Sequence, residues 1–188
     1  STGDVVQYMV GRKIAPVYQR KSLPPGRERL SVDFPNIRFT LHAGEIVGLA
    51  GLAGAGRTEL CQTIFGVTPA REGTIAVDGR AVRLRSPVEA VGAGIALISE
   101  DRQRTGLTLG LATASNITLA NLDGVSRRGV IDQGRERAVA RDYGRRLRIQ
   151  GAEVQQPVAR LSGGNQQKVV IAKWLFRDSG VFLFDEPT

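Results

Sequence analysis

The 188 residues contain one cysteine, one histidine, one tryptophan and one methionine. With Cys61 alone, no disulfide framework is possible within the stretch, and the usage suits a reducing compartment. His42 lies in the turn His42-Ala43-Gly44-Glu45 with no partner at metal-ligand or catalytic-pair spacing, and reads as an exposed turn histidine. Aromatic residues make up only 5%, and none is interleaved with the arginines as a base-stacking surface requires. No apolar run is long enough to span a membrane and no signal-peptide pattern opens the stretch, so the expected address is the cytosol. Acidic residues are in deficit, 18 against 26 lysines and arginines, for a formal charge of +8. Nucleic acid, a nucleotide polyphosphate and an anionic membrane surface are the partners such a charge suggests. The densest basic runs, Arg127-Arg128 and Arg135 to Arg148, read as a solvated helix face, and nucleic acid is not expected as a partner.

Glycine is abundant, and its placement is informative. The sequence is organised around Gly51-Leu-Ala-Gly54-Ala55-Gly56-Arg57-Thr58. The apolar run before it, residues 46–50, predicts a buried parallel strand, and residues 59–65 predict the first turns of a helix. Strand, glycine loop and helix form the context of a phosphate-binding loop. Glycines let the backbone N–H groups turn inward, and the helix N-terminus adds partial positive charge. Gly51, Gly56 and Thr58 match the pattern G-x-x-x-x-G-K-[ST], but Arg57 stands where the lysine belongs.

Residues 1–29, rich in proline and basic residues, predict a connecting segment. Two short extended runs broken by Pro35-Asn36 follow. After the first helix come a strand over 73–77, an Asp78-Gly79 hairpin turn, and a helix opened by Ser86-Pro87 and closed at Gly92 or Gly94. Residues 95–98 predict another buried strand, which runs into the polar turn Ser99-Glu100-Asp101-Arg102. Residues 108–160 predict a helical lobe without sheet. It has a short helix from Ser115 and a longer one over 132–147, whose inner face carries Val139, Tyr143 and Leu147. Ser162-Gly163-Gly164-Asn165 then opens a mostly apolar helix to Phe176, in which Trp174 reads as core packing. Last comes the apolar strand 181–184, ending in Asp185-Glu186-Pro187-Thr188.

The glycine loop, the polar turn, Leu161-Ser162-Gly163-Gly164-Asn165-Gln166 and the apolar strand before Asp185-Glu186 occur in an order that resembles the ATP-binding cassette ATPases. The stretch from Gly44 to Leu60, Ser99-Glu100-Asp101-Arg102, Gly106-Leu107 and residues 161–169 are most similar to the second cassette of bacterial ribose, galactose and xylose importers. Met9-Val10-Gly11-Arg12 resembles the junction after the first cassette. The resemblance implies an α/β P-loop fold: a mainly parallel sheet, an antiparallel β edge and an inserted helical subdomain. The ATP-binding core would cover 30–107, the helical subdomain 108–160, and the signature helix and Walker B strand 161–188.

The resemblance also implies ATP and Mg²⁺ as cofactors. Gly51, Gly54, Ala55, Gly56, Arg57, Thr58 and Glu59 would hold phosphates, Thr58 and Asp185 the metal, and Glu186 would be the general base. Glu100 occupies the usual place of a glutamine. With Arg57, it implies a site that holds nucleotide but hydrolyses it weakly. Ser162, Gly163, Gly164 and Asn165 would face the γ-phosphate bound by a preceding cassette of the same polypeptide. Membrane-spanning permease subunits and, indirectly, a periplasmic sugar-binding protein are the implied partners, at the cytoplasmic face of the inner membrane. The family's sequence continues beyond the position of Thr188, so negligible turnover is expected from this stretch alone. A nucleotide-sensing cassette without turnover and a cassette ATPase acting on nucleic acid are the alternatives. The short segment between the motifs, without heptads or cysteines, argues against the latter.

Overall fold

A computed structural model describes residues 24–52, 54–150 and 153–186. Residues 1–23 of the expected connecting segment, Ala53 of the glycine loop, and Pro187 and Thr188 lie outside the described residues.

β1 (Glu28–Phe34) and β2 (Ile37–His42) form a hairpin across Pro35-Asn36, with Asp33 facing Arg38 at 2.9 Å. Leu30 and Val32 alternate inward and are fully buried, as a half-covered strand requires. On its other side β1 pairs antiparallel with β3 (Thr74–Val77), which turns into β4 (Arg80–Val82), giving the order β2-β1-β3-β4. Asp78 and Gly79 both have positive φ (51° and 73°), the geometry of the two-residue turn their sequence predicts. Arg29 reaches across to Asp78 at 2.6 Å.

The glycine loop leads into α1 (Arg57–Ile64). Ser86 caps α2 (Pro87–Gly92), with Pro87 at the first turn and Gly94 (φ 83°) past its end, and α2 delivers the chain to β5 (Ile95–Ile98). A π-helical turn, Arg102–Gly106, follows, with the Asp101 carboxylate accepting from the N–H groups of Gln103 and Arg104. The lobe beyond contains α3 (Thr113–Thr118), a single 3₁₀ turn (Leu122–Val125), the small hairpin β6 (Ser126–Arg127) and β7 (Val130–Ile131), and α4 (Gln133–Arg146). Val139, Tyr143 and Leu147 pack on the core from α4 as their spacing predicts. The hairpin corrects the expectation of a lobe without sheet. Arg128 and Gly129 both take positive φ, so two residues suffice for the turn. A 3₁₀ turn (Val158–Arg160) leads to α5 (Gly163–Phe176), and β8 (Val181–Phe184) closes the described chain.

β8 pairs in parallel with β5, Ile95 opposite Val181 and Ile98 opposite Phe184. The fold is α/β, but among the described residues the antiparallel sheet has four strands and the parallel pairing is confined to β5 and β8. Residues 46–50 form no strand, contrary to their apolar pattern. Ile46 is 75% exposed, Val47 39% and Leu49 38%. A strand persists only where a neighbour completes its ladder. Here residues 46–49 and β8 both line an apolar groove of about 800 Å³ and share no ladder. The core lies between the antiparallel sheet, α5 and β5, with Trp174 of α5 meeting Phe65 edge to face at 5.9 Å.

Candidate nucleotide site

The site begins with backbone geometry. Gly54 and Gly56 adopt left-handed φ (79° and 83°), where a side chain would be strained. Gly56 is also the N-cap of α1 and no side chain caps that helix, so the first-turn N–H groups face the loop. Such an end favours an anion.

Folding brings the end of β8 to this helix. The Thr58 hydroxyl donates to Asp185 Oδ1 at 3.0 Å, and Arg57 Nη2 donates to Glu186 Oε1 at 2.8 Å, across sequence separations of 127 and 129 residues. The Asp185 N–H donates to the Ile98 carbonyl (2.9 Å), so β5 fixes where β8 ends. Asp185 is buried at 6% exposure, while Arg57 and Glu186 are 36% and 50% exposed. An ion pair that open contributes at most about 1 kcal/mol, too little to hold against a polyphosphate. Glu186 has φ 45°, a conformation that costs a non-glycine residue energy. Cys61, one turn along α1, lines the groove. Burial first and the Asp185 charge second raise its thiol pKa to about 11, so it is no nucleophile at neutral pH.

Thr58 and Asp185 place a hydroxyl and a buried carboxylate oxygen within 3.0 Å of each other. This hard oxygen pair suits a small divalent cation that takes its other ligands from phosphates and water. Glu59 follows in the first turn of α1, and the added Cβ of Gly51 would meet the Ala55 Cβ at 3.0 Å, so that turn of the loop is close-packed.

Glu100 is exposed on the bend between β5 and the π-helical turn. Among the described residues, no hydrogen bond or ion pair joins it to the loop or to Asp185 and Glu186. Ser162, Gly163, Gly164 and Asn165 form a separate group. Ser162 stands at the N-cap position of α5, but its hydroxyl accepts from Asn165 Nδ2 (3.0 Å) and caps no backbone N–H. Asn165 Oδ1 in turn accepts from the Gln150 N–H. The helix starts at Gly163, directly after Ser162, with no acidic residue in its first turn. Its N-terminus therefore also presents uncompensated N–H groups. Phe34, at the end of β1, packs beside Gly73, where an added Cβ would come within 2.6 Å of the Phe34 ring.

Sequence reasoning missed the bonds that fasten these groups together, and read Trp174 only as core packing. Gln103 donates to Gln166 (3.1 Å), Lys173 to the Gly106 carbonyl (2.8 Å), and the Trp174 indole to the Leu97 carbonyl (2.9 Å). The available signal was Lys173, a cation inside the apolar run of residues 169–176.

The glycine loop on α1, facing an acidic strand end inside an α/β fold, defines a P-loop nucleotide-binding domain. A family model described as "ABC transporter" matches residues 34–188, and the chain belongs to that family. It is 47% identical to the ribose import ATP-binding protein RbsA of Jannaschia sp. (strain CCS1), the match covering 99% of this chain and 37% of that protein. It is 44% identical to RbsA of Geobacillus kaustophilus (strain HTA426), covering 98% and 39%. The putative ribose/galactose/methyl galactoside import ATP-binding protein 3 of Burkholderia cenocepacia (strain HI2424) is 48% identical, covering 100% and 38%. The chain thus spans less than two-fifths of the length of these relatives. Among solved structures, cbiO1 from Clostridium perfringens, part of the ABC transporter complex cbiONQ, superposes with a TM-score of 0.66 at 19% identity, covering 86% of this chain and 66% of that one. The ADP- and Pi-bound dimer of the ATP-binding cassette MJ0796 gives 0.65 at 20% identity, covering 85% and 74%. These likenesses support the fold, and cassettes of this fold bind nucleotide.

Proposed function

We propose that this chain is the nucleotide-binding unit of an ATP-driven monosaccharide importer, corresponding to the second of two cassettes. The observation that carries the reading is the convergence of Arg57 and Thr58 with Asp185 and Glu186 at 2.8 and 3.0 Å. The domain division goes with it: connecting segment 1–29, core 30–107, helical subdomain 108–160, signature helix and Walker B strand 161–188.

In this reading the loop N–H groups from Gly54 to Thr58 hold the β- and γ-phosphates, and Gly51, Ala55 and Glu59 shape the turn. Thr58 and Asp185 would hold Mg²⁺, which supplies charge neutralisation to the phosphates when bound. Arg57 leaves Glu186 for the phosphates, and Glu186 then accepts a proton from the attacking water. Arg57 has a planar head in place of an ammonium, and Glu100 adds a negative charge where the transition state is already anionic, so hydrolysis here is slow. Ser162, Gly163, Gly164 and Asn165 serve the γ-phosphate of the preceding cassette, whose site they complete. The partners are that cassette, permease subunits and, through them, a sugar-binding protein. The unit works at the cytoplasmic face of the membrane, and no helix among the described residues is long and apolar enough to cross one.

The test compares two variants of the full-length protein assembled with its membrane subunits. Gly163→Asp is expected to lower kcat by about a hundredfold, the effect of losing a positioned donor to the γ-phosphate. Glu186→Gln is expected to cost less than about tenfold, since its own site contributes little of the flux. Equal losses would remove the asymmetric assignment. A second reading, a nucleotide sensor without turnover, draws on the Arg57–Glu186 pair. It fails if phosphate release depends on permease and sugar.

A further inference from the structure

Lys173 is the only buried lysine or arginine among the described residues, at 8% exposure. Burial alone lowers its pKa from 10.5 to about 8. Its Nζ donates to the Gly106 carbonyl at 2.8 Å and lies 4.7 Å from the centre of the Trp174 ring. The next residue, Trp174, donates its indole N–H to the Leu97 carbonyl at 2.9 Å. Leu97 and Gly106 bracket the segment that carries Glu100: one lies in β5, the other ends the π-helical turn.

The same face of α5 holds the rest of that turn. A Cβ added at Gly106 would come within 3.1 Å of Val170 Cγ2, so Val170 seats against it. Gln166, 2% exposed, accepts from Gln103 at 3.1 Å while its own amide donates to the Val158 carbonyl. The Arg102 guanidinium covers Gly163, where a Cβ would come within 2.5 Å of Nη2. Positions 163, 166, 170, 173 and 174 follow one stripe of a helix. α5 is a rod of 14 residues, and these contacts run from its first turn to its last. Trp174 also meets Phe65, just past the end of α1, so the same anchor touches the helix that follows the glycine loop.

We propose that Lys173 and Trp174 are positioning residues that lock the Glu100 turn to the Ser162–Gly164 end of α5, so that the two groups move as one body. The inference rests on the functional reading above, in which Ser162–Gly164 meets the γ-phosphate of the preceding cassette and Glu100 attends this chain's own phosphates. Nucleotide held against the start of α5 then moves Glu100 at the other site. Buried contacts carry the movement, and the exposed Arg57–Glu186 pair is not needed for it. A phosphate contact at one site thus sets the geometry of the second.

The test uses the full-length protein with its membrane subunits, as Lys173→Met, Trp174→Phe, the double variant and Lys173→Arg. Amide exchange read by mass spectrometry on peptides spanning 99–106 should accelerate about tenfold in the first two, with the β1–β3 sheet unchanged. The KM for ATP should stay within about twofold while kcat falls about fivefold or more, and Lys173→Arg, which keeps a donor, should recover most of it. Unchanged exchange at 99–106 in the double variant overturns the proposal. So does acceleration throughout the domain, or faster local exchange with kcat intact. If the unaltered protein releases no phosphate with permease and sugar present, the functional reading falls instead, while the exchange experiment still decides whether the lock exists.

Discussion

Arg57 and Lys173 are both cations, and their surroundings give them different work. Arg57 is 36% exposed and pairs with Glu186, which is 50% exposed, so its bond yields to phosphate. Lys173 is sealed between α5 and the π-helical turn, and its charge is penalised in the folded state. Unfolded, it titrates near 10.5; folded, near 8. The penalty is complete below pH 8 and is relieved as pH rises to 10.5, because only the unfolded chain still holds the proton in that window. Cys61 works in the opposite sense. Its folded pKa of about 11 lies above 9.0, so its contribution to stability is complete below pH 9 and is lost between 9 and 11. Each effect is on the order of 3 kcal/mol at most. Urea midpoints should therefore rise between pH 8 and 9 and level off above 9. The rise should vanish in Lys173→Met.

At the scale of elements, the helical lobe depends on one asparagine. Asn116 is 1% exposed. Its Oδ1 accepts from the Thr108 N–H (2.8 Å), while Nδ2 donates to the carbonyls of Thr108 (3.0 Å), Ala112 (3.1 Å) and, more distantly, Leu111. It thus ties the entry loop to α3. Asn116→Ala strands these buried groups and is expected to destabilise by on the order of 3 kcal/mol, read from the urea midpoint. The sequence pattern marks α3 and α4 but gives no weight to Asn116, because an asparagine in a short helix looks like an exposed polar residue until the loop folds over it. The start of α5 carries the same lesson. Ser162 has the identity of a capping residue, yet Asn165 takes its hydroxyl and leaves the helix end open.

At the scale of the whole molecule, two sheets share one core, and the groove beside β8 is left open. Residues 46–49 and β8 are apolar and line a space of about 800 Å³. An open apolar surface of that extent recruits hydrophobic probes. The 188-residue chain should bind an environment-sensitive dye such as anilinonaphthalene sulfonate with enhanced emission. Ile46→Glu and Leu49→Glu should weaken the signal with the far-ultraviolet dichroism unchanged. A signal indifferent to both substitutions would place the dye elsewhere.

What the sequence determined by itself is local. Glycines at 54 and 56, Asp78-Gly79, Ser86-Pro87 and the apolar stripe of α4 each dictate a backbone conformation through sterics, turn chemistry or periodicity, and each element formed where those rules put it. The glycine loop was legible for the same reason, since its chemistry is written in consecutive residues. Tertiary structure decided everything that needs a partner. Residues 46–50 have the composition of a strand, but no neighbouring ladder satisfies their backbone. Asp185 meets Thr58, and Glu186 meets Arg57, only because parallel pairing of β5 with β8 sets where that strand ends. Lys173 became an anchor only when packing removed water from its ammonium and left the Gly106 carbonyl within reach. A hydrogen bond across 67 residues depends on a distance in space, and that distance is created only by packing.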